Sequence, residues 1–119
     1  MIVRFEGQGG PVVVRIQIEG IVSWGYTYSA EEHQFHATGT HSEPNDHALG
    51  MPSELHMDVN TWRIATFNSG DQPVEYVITV LWHQDGDVVA KWPEDGPLTG
   101  ELDPNGSAVH SDHALLVAR

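Results

Sequence analysis

The stretch from Val74 to Trp92 limits most strongly what this chain can fold into. Val74, Tyr76, Ile78, Val80 and Trp82 alternate with Glu75, Val77, Thr79, Leu81 and His83, a period of two that a β-strand turns into two distinct faces. Gln84-Asp85-Gly86 interrupts the alternation and Asp87-Val88-Val89-Ala90-Lys91-Trp92 resumes extended chain, which reads as a β-hairpin. A two-residue turn at Asp85-Gly86 would set Trp82 opposite Val89 and put Lys91 against Val80. A three-residue loop with Gly86 left-handed instead sets Trp82 opposite Val88, Val80 opposite Ala90 and Ile78 opposite Trp92, with His83 against Asp87 and Thr79 against Lys91. The second register is expected, because it makes one face wholly apolar. Such a face needs cover, and with no long helical pattern elsewhere the cover is expected to be a second sheet.

Further short extended segments bear this out along the chain. Ile2 to Glu6 is a strand, and Gly7-Gln8-Gly9-Gly10 reads as a hairpin turn into Val12, Val14, Ile16 and Ile18, which alternate with Val13, Arg15, Gln17 and Glu19. No helix follows those glycines, so they are not a phosphate loop. Gly20 and Gly25 mark bulges or bends around an extended segment, Ile21 to Tyr28. From 29 to 54 the pattern dissolves into a short strand near His33 to Thr38 and then a long histidine-rich loop, 39–54 being its irregular part. Leu55 to Val59, Thr61 to Phe67, Leu98 to Leu102 and Ser107 to Val117 are the remaining strands, separated by turn clusters at Asn68 to Pro73, Pro93 to Pro97 and Asp103 to Gly106. The expected fold is all-β: one domain over 1–119, an antiparallel β-sandwich of eight to ten short strands with immunoglobulin-like or related topology.

Charge and composition remove several classes of function. Seventeen acidic residues against five lysines and arginines give a formal charge of -12, which repels phosphate backbones and argues against a nucleic-acid partner. The absence of cysteine excludes thiol catalysis, thiolate zinc sites and disulfides. No apolar run approaches the roughly 20 residues of a membrane span, and the charges in Met1 to Glu6 do not fit a signal peptide. A cytoplasmic location is the expectation for the chain as written, and an extracellular one if a leader has been removed.

Two groups of residues carry candidate chemistry. His33, His36, His41 and His47 lie close in sequence, and neutral imidazole is the commonest ligand of divalent transition metals. If 33 to 36 is a strand, His33 and His36 point to opposite faces, and only a turn would let them converge. His56 and His110 fall on polar faces where a solvated histidine is expected, His83 sits on another strand, and His113 falls on a more apolar face where a hydrogen-bonded core histidine is expected. Trp24, Tyr26 and Tyr28 either form an exposed stripe on which sugar rings or lipids could rest, or finish the core begun by Val12 and Ile18, the reading preferred here. Glu31 with Glu32, and Asp85 with Asp87, are ordinary exposed acids rather than the pair held about 5 to 10 Å apart that glycoside hydrolysis needs. No nucleophile elbow occurs.

Ala65-Thr66-Phe67-Asn68-Ser69-Gly70-Asp71-Gln72-Pro73-Val74, followed by Gly100-Glu101-Leu102-Asp103-Pro104-Asn105-Gly106-Ser107, resembles the strand, Asn-Ser/Thr-Gly turn, strand, Leu-x-Pro-Gly turn pattern of bacterial immunoglobulin-like adhesion and stalk domains. Asn105, inserted between Pro104 and Gly106, departs from that pattern. The same half resembles the amino-terminal part of aegerolysins, acidic sandwich proteins that bind membrane lipids, with Trp82 near where they carry a tryptophan. Both likenesses imply a sandwich and neither implies a catalytic residue. The expected function is therefore a non-catalytic binding, adhesion or assembly module with a protein or carbohydrate partner, or a homo-oligomer formed edge to edge or face to face. A metal-dependent protein or enzyme using His33, His36, His41 and His47, and a carbohydrate or lipid binder using Trp24, Tyr26 and Tyr28, are the alternatives.

Overall fold

A computed structural model describes residues 1–31, 33–55 and 57–119. Among the described residues ten strands form two sheets: β1 Ile2–Phe5, β2 Val12–Glu19, β3 Ser23–Ser29, β4 Gln34–Gly39, β5 Glu43–Gly50, β6 Asp58–Phe67, β7 Val74–Gln84, β8 Asp87–Trp92, β9 Leu98–Leu102 and β10 Ser107–Ala118. The front sheet has the order β1-β10-β6-β3-β4 and the back sheet β5-β2-β7-β8, with β9 also paired to β7. All pairings are antiparallel save β1 with β10, which is parallel. The all-β sandwich expected from the alternation is what the chain forms.

Inward positions fill one core. Val12, Val14, Ile16 and Ile18 of β2 face Ile78, Val80 and Trp82 of β7 across paired strands, all fully buried. From the front sheet, Trp62 meets Trp82 and Trp92 edge-on at ring separations of 5.4 Å each, and stacks on Tyr28 at 6.0 Å. Trp82 Nε1 donates to the Tyr28 hydroxyl at 3.0 Å, so these two buried rings satisfy one another's polar atoms.

Four expectations need correction. The hairpin turn has two residues, Asp85 and Gly86, both with positive φ (52° and 82°), and pairs Gln84 with Asp87 and His83 with Val88. A bulge then shifts the register, so Trp82 meets Ala90, Val80 meets Trp92 and Lys91 falls beside Leu81 on the outer face. The conflict that argued against a two-residue turn is thus relieved by one extra residue in β8. Second, the glycines at 7 to 10 do not close a hairpin. β1 belongs to the front sheet and β2 to the back, and the connection is a crossover.

Third, the loop expected at 39–54 is mostly strand β5, which pairs with β2 from Gly50 to Glu43. Pro44 is tolerated because β5 is an edge strand with one unpaired side. Fourth, Leu55 to Val59 is not a separate strand. A 3-10 turn at Pro52–Glu54 and a left-handed Met57 (φ 63°) precede β6, which runs unbroken from Asp58. Two of the three turn clusters, Asn68 to Pro73 and Asp103 to Gly106, lie side by side: Asn68 N–H donates to the Gly106 carbonyl, its own carbonyl accepts from Asn105 N–H, and its side-chain amide donates to Leu102 and Gln72 carbonyls. Among the described residues no helix is long and apolar enough to cross a membrane.

Candidate functional site

The aromatic triplet does not form a surface stripe. Trp24, Tyr26 and Tyr28 occupy alternate positions of β3, and the alternation that groups them also turns them inward, leaving them at most 4% exposed. Gly25 and Thr27 face solvent in their place. A sugar or lipid stacked on these three rings is excluded by that burial, and the preferred core reading holds.

The histidines are dispersed by the same parity. His36 points outward from β4, His41 lies in the β4–β5 connection, His33 precedes β4 and His47 faces inward from β5. His33 and His47 both lie against Phe35, whose ring lies 6.0 Å from one and 4.6 Å from the other. Among the described residues no three histidine, aspartate or glutamate side chains are placed to hold a metal ion. His110, expected in solvent, faces inward and meets the Tyr76 hydroxyl at 2.8 Å. His113, expected in an apolar setting, is exposed on β10. Both reversals follow from the parity of β10, where Ala108, His110, Asp112, Ala114 and Leu116 turn towards the other sheet. His56 and Glu32 lie outside the described residues.

What the inward histidines do is tie the sheets together. Tyr26 of the front sheet meets His47 Nε2 of the back sheet at 2.7 Å, and Tyr76 of the back sheet meets His110 of the front. Burial lowers the His47 pKa, opposed by nearby Asp46, and burial followed by the charge of Glu43 raises that of Tyr26 to about 12. Both groups are therefore held neutral, as a hydrogen-bonded pair in a half-buried seam should be. Asp46 faces the other way and pairs with Arg15 at 2.7 Å, which pulls its carboxyl down. Asp85, read as a turn acid, accepts from Gly10 N–H with both oxygens. Glu31, His33, Glu54 and Asp58 surround a depression of about 430 Å³ at one end of the sandwich.

The outer face of the front sheet presents a different chemistry. Its outward positions are Ile2 and Arg4 on β1; Ser107, Val109, Ser111, His113, Leu115 and Val117 on β10; Val59, Thr61, Arg63, Ala65 and Phe67 on β6; Ser23, Gly25, Thr27 and Ser29 on β3; and Gln34, His36 and Thr38 on β4. None is an aspartate or glutamate, although the chain carries seventeen. The back sheet's outer face has Glu19, Asp46, Glu75 and Glu101.

Strand pairing sets His36, Thr27, Arg63 and Ser111 in one row across the middle of the front face. Exposed Arg63 has no carboxylate partner among the described residues. Small side chains around it leave two shallow depressions. One, of about 500 Å³, is lined by Thr27, Ser29, Val59, Thr61, Trp62, Arg63, Ser111, Asp112 and His113, Asp112 reaching it from the inward row of β10, and the other, of about 400 Å³, by residues including Gly25, Ala65, Phe67 and Val109. Ile2, Val59, Phe67 and Val109 are each more than 40% exposed. The sequence did carry a signal for this face, the lack of acids at every second position of five strands, but it becomes visible only once the strands are known to share a sheet.

Comparison of the chain with family models, curated proteins and solved structures finds no match.

Proposed function

We propose that this chain is a non-catalytic binding module whose working surface is the outer face of the front sheet. The observation that carries the reading is the exclusion of acidic residues from the outward strand positions of that face in a chain of formal charge -12. Outward strand positions tolerate almost any polar residue, so folding alone gives no reason to keep acids off one face and allow them on the other. Exposed apolar residues and an unpaired arginine on the same face fit a surface that loses water against a partner. The resemblance to adhesion and stalk domains agrees with such a role, with a protein or a carbohydrate as partner.

Glycan, peptide and liposome screens followed by amide chemical-shift mapping test the proposal. The expected outcome is that any ligand found perturbs Thr27, Arg63 and Val109 and leaves Thr99 and Glu101 of the back sheet unmoved. Perturbations centred on the back sheet, or turnover of a small substrate abolished by changing His33 or His36, would overturn it.

A further inference from the structure

We infer that the front face binds a second copy of this chain, front sheet to front sheet about a two-fold axis; this rests on the reading of that face as the binding surface. Charge is the first argument. A cationic partner would be met by acids and a strongly anionic one by a cluster of bases, yet the outward strand positions of the face offer only Arg4 and Arg63 and no acid, and Asp112, which reaches the depression from the inward row, already accepts from Trp92 Nε1 and His113 N–H. A nearly neutral face suits a partner whose own face is nearly neutral and whose remaining surface is as acidic as this one. A second copy has both properties. Two chains of charge -12 repel least where acids are absent. The back-sheet acids stand behind a sheet spacing of about 10 Å, more than the screening length of about 8 Å at physiological salt.

Layout is the second argument. Apolar residues sit at both ends of the face, Phe67, Val109 and Ala65 at one and Ile2, Val59 and Leu115 at the other, with the row of His36, Thr27, Arg63 and Ser111 between them. A two-fold axis running along the strands between β6 and β10 lays each apolar end on the same end of the other copy, Ala65 against Val109 and Val59 against Leu115, with the polar row between them on the polar row. That is the self-complementarity an isologous contact requires. Arg63 then faces the Ser111 hydroxyl of the other copy, which can accept its hydrogen bond.

Size and the sheet edges agree. Five strands about 4.8 Å apart and from 4 to 12 residues long offer roughly 600 Å² per copy, at the lower end of the range for specific interfaces of about 600 to 1,000 Å² per partner. Edge-to-edge pairing is disfavoured. β5 carries Pro44 and Asp46 along its free edge, and the opposite side of β7 is covered by two short strands, β8 and β9.

Sedimentation velocity on the full chain over a range of concentrations, at low and high salt, tests the inference. The wild type is expected to dimerise and to do so more tightly as salt rises, because salt screens the repulsion between like-charged copies. Thr61→Glu, on the front face, should weaken the dimer at least tenfold, and Val109→Glu should do the same. Thr99→Glu, an equally exposed strand threonine on the back sheet, should leave it within about twofold, all three variants being checked for folding by circular dichroism. A wild type that stays monomeric at the highest concentration and salt overturns the inference, as does a dimer broken by Thr99→Glu and spared by Thr61→Glu. A monomer whose screening hit still maps to Thr27, Arg63 and Val109 ends the second-copy inference alone. If Thr61→Glu alters neither self-association nor any hit, the binding face falls with it.

Discussion

Gln84→Leu should destabilise the fold by about 2–4 kcal/mol. The Gln84 side chain is 4% exposed and serves the crossover between sheets. Its Oε1 accepts from Glu6 N–H at 2.7 Å, and its Nε2 donates to the Glu6 and Gly10 carbonyls at 2.8 and 3.0 Å. Leucine fills a similar volume and leaves three backbone groups without that partner. Each bond is worth about 1 kcal/mol net, and a group left unpaired away from water costs about 1–3 kcal/mol; the site is only part-buried, which keeps the total to the lower part of the sum. Against a total stability of about 5–15 kcal/mol this is a large fraction. Urea unfolding followed by the fluorescence of the core tryptophans should show the midpoint falling by about 1–2 M, given slopes of ~1–3 kcal/mol per molar. Gln84→Glu keeps an acceptor for Glu6 N–H but turns an acceptor towards two carbonyls, so its cost at neutral pH should equal or exceed that of leucine. That cost should shrink as the pH falls and the buried carboxyl takes up a proton. A loss below about 0.5 kcal/mol for both variants would refute the assignment of the crossover to Gln84.

The His47 seam gives a pH signature. Because burial holds the folded pKa below the usual value, the unfolded chain takes up the proton first. Stability contributed by neutral His47 should therefore be complete above about pH 6.5, fall as the pH drops below it, and level off below the folded pKa. Urea midpoints for wild type and His47→Gln across that window should differ in slope, and parallel curves would rule out a titrating His47. Gly39→Ala should cost about 1–3 kcal/mol, because a methyl there meets the Trp24 indole ring, which is held by its Nε1 donating to the His41 carbonyl at 2.8 Å. A neutral result in thermal unfolding would mean that the ring is free to shift.

The inner half of this structure could be read from the sequence, and the outer half could not. Val12 to Ile18 and Val74 to Trp82 alternate so strictly that only two-faced strands bury them, and the core lies where that pattern put it. Features set by long-range pairing were hidden. Parallel β1 and β10 join residues more than a hundred positions apart, and nothing local distinguishes that from a hairpin at Gly7 to Gly10. The bulge in β8 and the left-handed Asp85 depend on Lys91 being driven out of the core, a demand of packing rather than of turn propensity. β5 was hidden because Pro44, Asp46 and Gly50 resemble loop residues, and an edge strand tolerates all three. The front face was hidden for the opposite reason. Each Ser and Thr on it is unremarkable alone, and only their shared sheet gives the missing acids a meaning.

Metal binding by the clustered histidines makes a prediction that separates it from the sheet-clasping role. A transition metal needs the lone pair of a neutral imidazole. His47 Nε2 and His110 Nε2 are each within hydrogen-bonding distance of a tyrosine hydroxyl, so coordination through either atom would have to displace that contact. His36 lies on the far side of its sheet from His47, and among the described residues no three histidine, aspartate or glutamate side chains are placed to hold an ion. Zinc added to protein purified without a histidine tag should therefore leave the urea midpoint unchanged. A ligand that binds only the folded state at a hundred times its Kd would add about 2.7 kcal/mol, too large a shift to miss. Stabilisation of that size, lost in both His36→Ala and His47→Ala, would require the two edge strands to rearrange until these residues met, and with them the flank of the sandwich that the Tyr26–His47 contact closes.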